Sequence, residues 1–239
     1  MDASRRSWLA RRGASLLGAA LATLATSSLA GTAPGAAFRH GTAMTADEAL
    51  RRLKRGNGLY ISGTPLDAET GHTRRNELAR RQAPYAIVLC CSDSRVPPEL
   101  LFRAGLGELF VVRNAGNQLD DAALGSIEYG VAFLGAPLIV VLGHEGCGAV
   151  EAAVDVVATN KLYPGHIGKL IEPIVPAVLE ARTQPGALME NAVRENVKRT
   201  VARLKNLPEP LLHRPQVAGA LKVVGARYDL HDGEVEFIV

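Results

Sequence analysis

The amino-acid sequence predicts an α/β fold, with a mostly parallel central sheet flanked by helices and a C-terminal hairpin that extends the sheet. Three short apolar runs, at residues 85–90, 109–113 and 138–142, are typical of strands buried on both faces. Segments with apolar residues at helical spacing separate these runs, and such alternation is typical of parallel sheets. Near the end of the chain, Asp232-Gly233 predicts a tight hairpin turn between two apolar segments.

The first helix is predicted to begin after Thr45. Thr45 and Glu48 have the spacing of a capping box, and apolar residues follow at helical intervals. Gly56-Asn57-Gly58 is expected to end this helix, since glycine commonly follows the last helical turn. A second, more polar helix is predicted over residues 74–81.

The rest of the chain has helical patterns that lie between and after the predicted strands. These helices are predicted at residues 121–134, 148–159, 167–182 and 188–204. The proline-rich stretch LPEPLLHRP separates the last of them from the hairpin, whose strands are predicted at residues 221–230 and 234–239.

The N-terminal segment resembles an export signal. SRRSWLARRG is a basic head with twin arginines, and a mildly apolar run follows it that is too short and too rich in hydroxyl side chains for a membrane span. We therefore expect a twin-arginine-type signal peptide at residues 1–30, a linker at 31–43 and one catalytic α/β domain at 44–239. The mature protein is expected to be periplasmic or secreted, with no membrane anchor after signal removal.

Composition gives no indication of a nucleic-acid partner. The formal net charge of +3 arises from residues 1–30, which hold four arginines and one aspartate, so the remaining chain is neutral. A domain that binds nucleic acid usually carries a clustered basic excess.

Residues with metal-ligand chemistry follow two of the predicted strands. Cys91 comes directly after the first strand, and His144 and Cys147 follow the third. Because ligand sites in open α/β sheets gather beyond the carboxyl ends of the strands, these side chains are expected to meet. Two thiolates and an imidazole suit Zn²⁺, so the sequence predicts a zinc site.

Cys90 has a different predicted role. It points to the opposite face of the strand from Cys91, and a buried cysteine commonly acts as a small hydrophobic residue. A disulfide between two adjacent cysteines would be strained. A thiol oxidoreductase is disfavoured because the chain has no Cys-x-x-Cys motif.

The fourth zinc position has two possible occupants. If water occupies it, the pKa of that water falls toward 7 and a hydroxide nucleophile exists at neutral pH. If Asp93 occupies it, the site is closed. The planar guanidinium group of Arg95 could pair with the Asp93 carboxylate through two hydrogen bonds and hold it off the metal. Alternatively, Asp93 and Ser94 could only cap a helix.

Several motifs together resemble the β-class carbonic anhydrases. They are CSDSR, HEGC, RLKRGN, GELFVVRNAGN, GSIEYGVAFLGAPLIVVLGHEGCGAV and ENVKRTVARL, and they follow the order and spacing of that family. The resemblance implies reversible hydration of CO₂ to bicarbonate and a proton, through attack of zinc-bound hydroxide. It also implies one Zn²⁺ per chain and a homodimer or homotetramer.

The resemblance also implies roles for individual residues. The zinc ligands correspond to Cys91, His144 and Cys147, with Asp93 as a possible fourth ligand in a closed state, and the Asp/Arg dyad corresponds to Asp93 and Arg95. The substrate pocket corresponds to Gln82, Phe110 and Tyr129, and Gln82 could serve the zinc of a partner subunit. The chain departs from the family pattern at Cys90, Glu145 and Gly146.

Two other functions fit the same ligands. One is hydrolysis of carbon disulfide or carbonyl sulfide on the same zinc scaffold. The other is a non-catalytic zinc-binding module, in which Asp93, Arg95 and Gln82 would have no chemical role.

Overall fold

The computed structural model of the chain describes residues 41–65 and 70–239. The predicted signal peptide at 1–30 and most of the predicted linker lie outside the described residues. Among the helices that are described, none is both long enough and apolar enough to cross a membrane.

A five-stranded mixed sheet forms the centre of the described fold. Its spatial order is β2-β1-β3-β4-β5, and all neighbouring strands are parallel except the antiparallel pair β4–β5. The strands are β1 (Ala86–Cys91), β2 (Leu109–Asn114), β3 (Leu138–His144), β4 (Lys222–Tyr228) and β5 (Val235–Phe237). The predicted α/β class, the parallel sheet and the C-terminal hairpin are confirmed.

Helices cover both faces of this sheet. They are α1 (Ala46–Ile61), α2 (His72–Leu78), α3 (Pro98–Leu101), α4 (Asp121–Ala132), α5 (Gly148–Thr159), α6 (Gly165–Ile171), α7 (Val175–Ala181), α8 (Leu188–Asn206) and α9 (Pro210–Val217). Alternate residues of β1 point to opposite faces, so Val88 and Cys90 pack with α1 while Ile87 and Leu89 pack with α4 and α8. The fully buried strands β1 and β3 are apolar throughout because both of their faces are covered.

The predicted end of α1 at Gly56-Asn57-Gly58 is wrong. The helix continues through these residues to Ile61. Gly56 is required by a tertiary contact, since a Cβ there would lie 1.9 Å from the Phe102 carbonyl oxygen. The Asn57 side chain is buried and bonds the backbone of Leu101, Gly233 and Val235. Close packing against another segment therefore explains the glycine and asparagine that suggested a helix end.

The predicted helix at 167–182 is interrupted. Helix α6 ends at Ile171, a 3₁₀ turn covers Glu172–Ile174, and α7 follows. Pro173 and Pro176 lie at this junction, where each lacks the N–H that a continuous α-helix would need. The short helices α3 and α9 were not predicted. Both begin with a proline near their first position, which helices tolerate because the first N–H groups have no partner within the helix.

Candidate metal centre

The predicted ligands Cys91, His144 and Cys147 converge at one edge of the sheet. Cys91 ends β1 and His144 ends β3, and the parallel pairing of these strands brings their carboxyl ends together. Cys147 precedes the first residue of α5 and therefore lies on the short connection that leaves β3. The two sulfur atoms and the imidazole nitrogen lie within 4.8 Å of one another, and all three residues are buried. The structure thus assembles the ligand cluster that the sequence predicted.

His144 is oriented as a metal ligand. Its Nδ1 lies 2.8 Å from the backbone carbonyl oxygen of Glu145, and this contact is a hydrogen bond when Nδ1 carries the ring proton. Nε2 then carries a free lone pair. Among the described residues Nε2 has no hydrogen-bond partner although it is buried, which a cation in the cluster would explain.

The thiols of Cys91 and Cys147 lie close enough for each to shift the pKa of the other. The hydrogen bond from Cys147 lowers the pKa of Cys91 to about 4, helped by His144 and the Gly116 N–H, while burial acts in the opposite direction. The same hydrogen bond, with burial and the charge on Cys91, raises the pKa of Cys147. A first thiolate is therefore favoured and a second is opposed. A divalent cation offsets that repulsion, and the donor set of two sulfurs and one nitrogen fits Zn²⁺.

Asp93 and Arg95 form the predicted pair beside this cluster. Oδ1 of Asp93 accepts from the backbone N–H and the Nε of Arg95, both at 2.9 Å, and Oδ2 accepts from Nη2 at 2.7 Å. These contacts hold the pKa of Asp93 well below its usual range. Oδ2 also lies 3.9 Å from His144 Nε2. The alternative that Asp93 and Ser94 only cap a helix is wrong, because α3 begins at Pro98 and has no side-chain cap.

Arg113 on β2 holds the loop that follows β1. Its Nε donates to the Cys91 carbonyl oxygen at 3.0 Å, and its Nη2 donates to the Asp93 carbonyl oxygen at 2.7 Å. The sequence did not predict this role. The only available signal was an arginine at the end of an apolar strand, and its target depends on the pairing of β1 with β2.

The predicted pocket residues Gln82, Phe110 and Tyr129 lie away from the ligand cluster of their own chain. Phe110 pairs with Ile87, four residues before Cys91, which corresponds to roughly 13 Å along the strand. The rings of Phe110 and Tyr129 are 6.2 Å apart, and Gln82 and Tyr129 line the same groove of about 750 Å³. Gln82 is exposed. These three residues are therefore grouped with one another, at a different place from the ligands.

Two of the three departures from the family pattern, Cys90 and Glu145, have their contacts outside the ligand cluster. Cys90 is fully buried in an apolar cluster, and burial raises the pKa of its thiol to about 12, so it is an inert core residue as predicted. The Glu145 carboxylate accepts from the backbone N–H of Leu230 at 3.2 Å and ties the ligand loop to the β4–β5 connection.

Comparison with known proteins gives a consistent result. The family model described as carbonic anhydrase matches residues 86–235. A carbonic anhydrase of Mycolicibacterium smegmatis is 40% identical over 188 residues, which cover 79% of this chain and 91% of that protein. Carbonic anhydrase 2 of Mycobacterium tuberculosis is 40% identical over 185 residues, covering 77% and 89%.

Solved structures show the same similarity. The β-carbonic anhydrase CcaA superimposes with a TM-score of 0.62 at 27% identity, covering 81% of this chain and 97% of that one. One of two tetrameric β-carbonic anhydrases from Sordaria macrospora superimposes with a TM-score of 0.61 at 25% identity, covering 80% and 94%.

Proposed function

The chain belongs to the β-class carbonic anhydrase family, and on that premise we propose which of its residues act on CO₂, how its copies assemble and where it works. The enzyme is a carbonic anhydrase, and its Cys91–His144–Cys147 cluster is the zinc site typical of the family. When bound, Zn²⁺ lowers the pKa of a coordinated water and so supplies a nucleophile near neutral pH.

Asp93 is the proposed hydrogen-bond acceptor for the reacting water molecule. Its Oδ2 is the carboxylate oxygen nearest to His144 Nε2, at 3.9 Å. Arg95 keeps the pKa of the Asp93 carboxyl low, so Asp93 stays ionised through the neutral range and acts only as an acceptor. An acceptor in this position orients the water so that a lone pair faces CO₂.

Arg95 is the proposed positioning residue for Asp93. Three hydrogen bonds from Arg95 occupy the carboxylate, and a fourth contact runs from its Nη2 to the Gly146 carbonyl oxygen at 3.4 Å. The arginine thus joins the loop after β1 to the loop after β3. A closed state with Asp93 as fourth ligand would require these bonds to rearrange, so the arrangement supports the open state.

A second copy of the chain is proposed to complete the substrate pocket. Gln82, Phe110 and Tyr129 offer an amide donor beside apolar rings, which suits an apolar substrate that becomes an anion. Phe110 lies roughly 13 Å along the sheet from the level of Cys91. Tyr129 and Gln82 are grouped with Phe110, so all three can line the site of a partner. We propose a homodimer or a dimer of dimers. The relatives from Sordaria macrospora are described as tetrameric.

Mixed dimers test this arrangement directly. A Gln82→Ala copy is paired with a Cys147→Ser copy, each variant being impaired when expressed alone. If Gln82 serves the partner, the mixed dimer holds one intact site, with zinc from the first copy and glutamine from the second. Activity restored on mixing supports the proposal, whereas no restoration in a confirmed mixed dimer contradicts it.

Export by a twin-arginine route is proposed from the N-terminal sequence. The supporting observation is SRRSWL followed by a mildly apolar run. Such export would deliver a folded protein to the periplasm or the medium with its zinc in place. Replacing Arg5 and Arg6 by lysine should retain the enzyme inside an expressing bacterium, as judged by fractionation. Unchanged export of the doubly substituted protein would refute the route.

Substrate choice is settled by one assay. Stopped-flow measurement of CO₂ hydration by the zinc-loaded chain should give rapid, zinc-dependent turnover. Carbon disulfide and carbonyl sulfide, offered in parallel, should be turned over far more slowly. The observation that carries the proposal is the cluster of Cys91, His144 and Cys147 beside an ionised Asp93.

A further inference from the structure

The loop that follows β2 contacts the ligand cluster through its backbone. The N–H of Gly116 donates to the Cys91 sulfur at 3.3 Å, and this contact is buried. Gly116 has a φ of +75°, which favours glycine, and a Cβ at this position would lie 2.9 Å from a methyl of Ile174. Glycine at position 116 therefore lets the backbone adopt the conformation that places this N–H against the sulfur.

Two buried amide side chains bind the carbonyl group of Gly116, whose N–H faces Cys91. Asn196 Nδ2 donates to the Gly116 carbonyl oxygen at 2.9 Å, and Gln118 Nε2 donates to the same oxygen at 2.8 Å. Asn196 and Gln118 are only 4% and 7% exposed. Neither residue contacts the ligands directly, and the zinc site described above does not use them.

Helix α8 reaches this loop because glycine at position 143 leaves room for the helix on the sheet. Gly143 precedes His144, and a Cβ there would lie 2.6 Å from a methyl of Val197. The missing side chain lets α8 approach β3 closely enough for Asn196 to reach the loop after β2. One helix therefore packs beside the histidine ligand and bonds the loop that faces the cysteine ligand.

We propose that Asn196, assisted by Gln118, is a positioning residue of the zinc site that acts through Gly116. The two amides fix the Gly116 carbonyl oxygen, and this orients the Gly116 N–H toward the Cys91 sulfur. The N–H bond sets the direction of the sulfur lone pairs and withdraws charge from the thiolate. The inference rests on the zinc site of the proposed function and adds residues from the C-terminal helix to it.

The first test measures zinc affinity on the full chain. Asn196→Ala should bind Zn²⁺ about 10- to 100-fold more weakly than the wild type in competition with a chelating dye, as is common when an indirect partner of a ligand is removed. Glu195→Gln is the matched control. Glu195 is buried on the same helix but contacts Gln184 and Lys198, so this variant should keep wild-type affinity.

The second test uses Co²⁺ in place of zinc. Loss of the N–H donor raises the energy of the sulfur lone pairs, so the sulfur-to-cobalt charge-transfer band of Asn196→Ala should move to longer wavelength. A merely structural role would lower thermal stability and leave this band in place. An unchanged band with wild-type zinc affinity overturns the proposal, as does an equal loss of affinity in Glu195→Gln.

The third test needs no variant. In the ¹¹³Cd-substituted wild type, the Gly116 amide proton should show scalar coupling to cadmium across the N–H···S bond, and its absence overturns the proposal. If Asn196→Ala does not fold, Gln118→Met is tested instead. It should bind Zn²⁺ more weakly and show the charge-transfer band at longer wavelength. A wild type that binds no zinc would reject the site itself, whereas normal zinc binding with unaffected variants rejects only the positioning role.

Discussion

Replacing Asn57 by alanine should destabilise the fold substantially although Asn57 lies in the middle of a helix. Its Oδ1 accepts from the Val235 N–H at 2.8 Å, and its Nδ2 donates to the Gly233 carbonyl oxygen at 2.9 Å and, less closely, to that of Leu101 at 3.3 Å. Asn57 is 4% exposed, so its partners lose their bonds in a buried region.

The expected loss follows from these bonds. A buried partner left without its bond costs about 1–3 kcal/mol, so the two short bonds together suggest about 2–6 kcal/mol. That is a large share of a typical unfolding free energy of about 5–15 kcal/mol. The middle of that range, about 4 kcal/mol, divided by a middle m-value of about 2 kcal/mol/M, gives a fall of about 2 M in the urea midpoint.

Urea denaturation of the zinc-loaded proteins, at one protein concentration, measures this effect. Asn76→Ala is the control, since the Asn76 amide is exposed and contacts the ring of His72. It should stay within about 0.5 kcal/mol of the wild type. A similarly small change in Asn57→Ala would show that the three bonds contribute little and would refute the reasoning.

Three further predictions concern the zinc site. The wild type should contain one zinc per chain by elemental analysis, and Cys147→Ser should lose it; retention of metal would contradict the ligand set. Arg95→Ala should keep its zinc but lose at least about tenfold in CO₂ hydration, because Asp93 loses its bidentate partner; normal stopped-flow rates would remove Arg95 from the mechanism. Chelation of zinc should lower the melting temperature while far-ultraviolet circular dichroism remains native-like, whereas complete unfolding would show that the metal is required for the fold.

Elements with both faces buried could be predicted from the sequence. The runs that became β1 and β3 are apolar without interruption, and helical spacing identified α4, α5 and α8. The wrong end of α1 was predicted because a distant contact decides the local structure there. Gly56 resembles a helix end, but it lies inside α1 because Phe102 approaches it closely.

The same distinction applies to the metal centre. Cys91, His144 and Cys147 could be predicted because parallel strands bring their carboxyl ends together and the residue types suit zinc. Arg113, Gly116 and Asn196 could not be predicted, since they act through backbone atoms whose positions depend on strand register and helix packing. Ligand chemistry is visible in a sequence, whereas the contacts that orient the ligands are not.

Contacts from neighbouring elements hold each ligand loop of the cluster. Arg113 on β2 binds the carbonyl groups of Cys91 and Asp93, and the Glu145 N–H donates to the Tyr228 carbonyl oxygen of β4 at 2.9 Å. Both partners of each bond belong to the chain itself, so the bonds do not involve zinc. The strands that supply them are anchored in the apolar clusters of the sheet. The positions of the ligand loops therefore follow from the fold. Zinc adds stability to a site whose loops are already held, so its removal should weaken the protein without abolishing its structure.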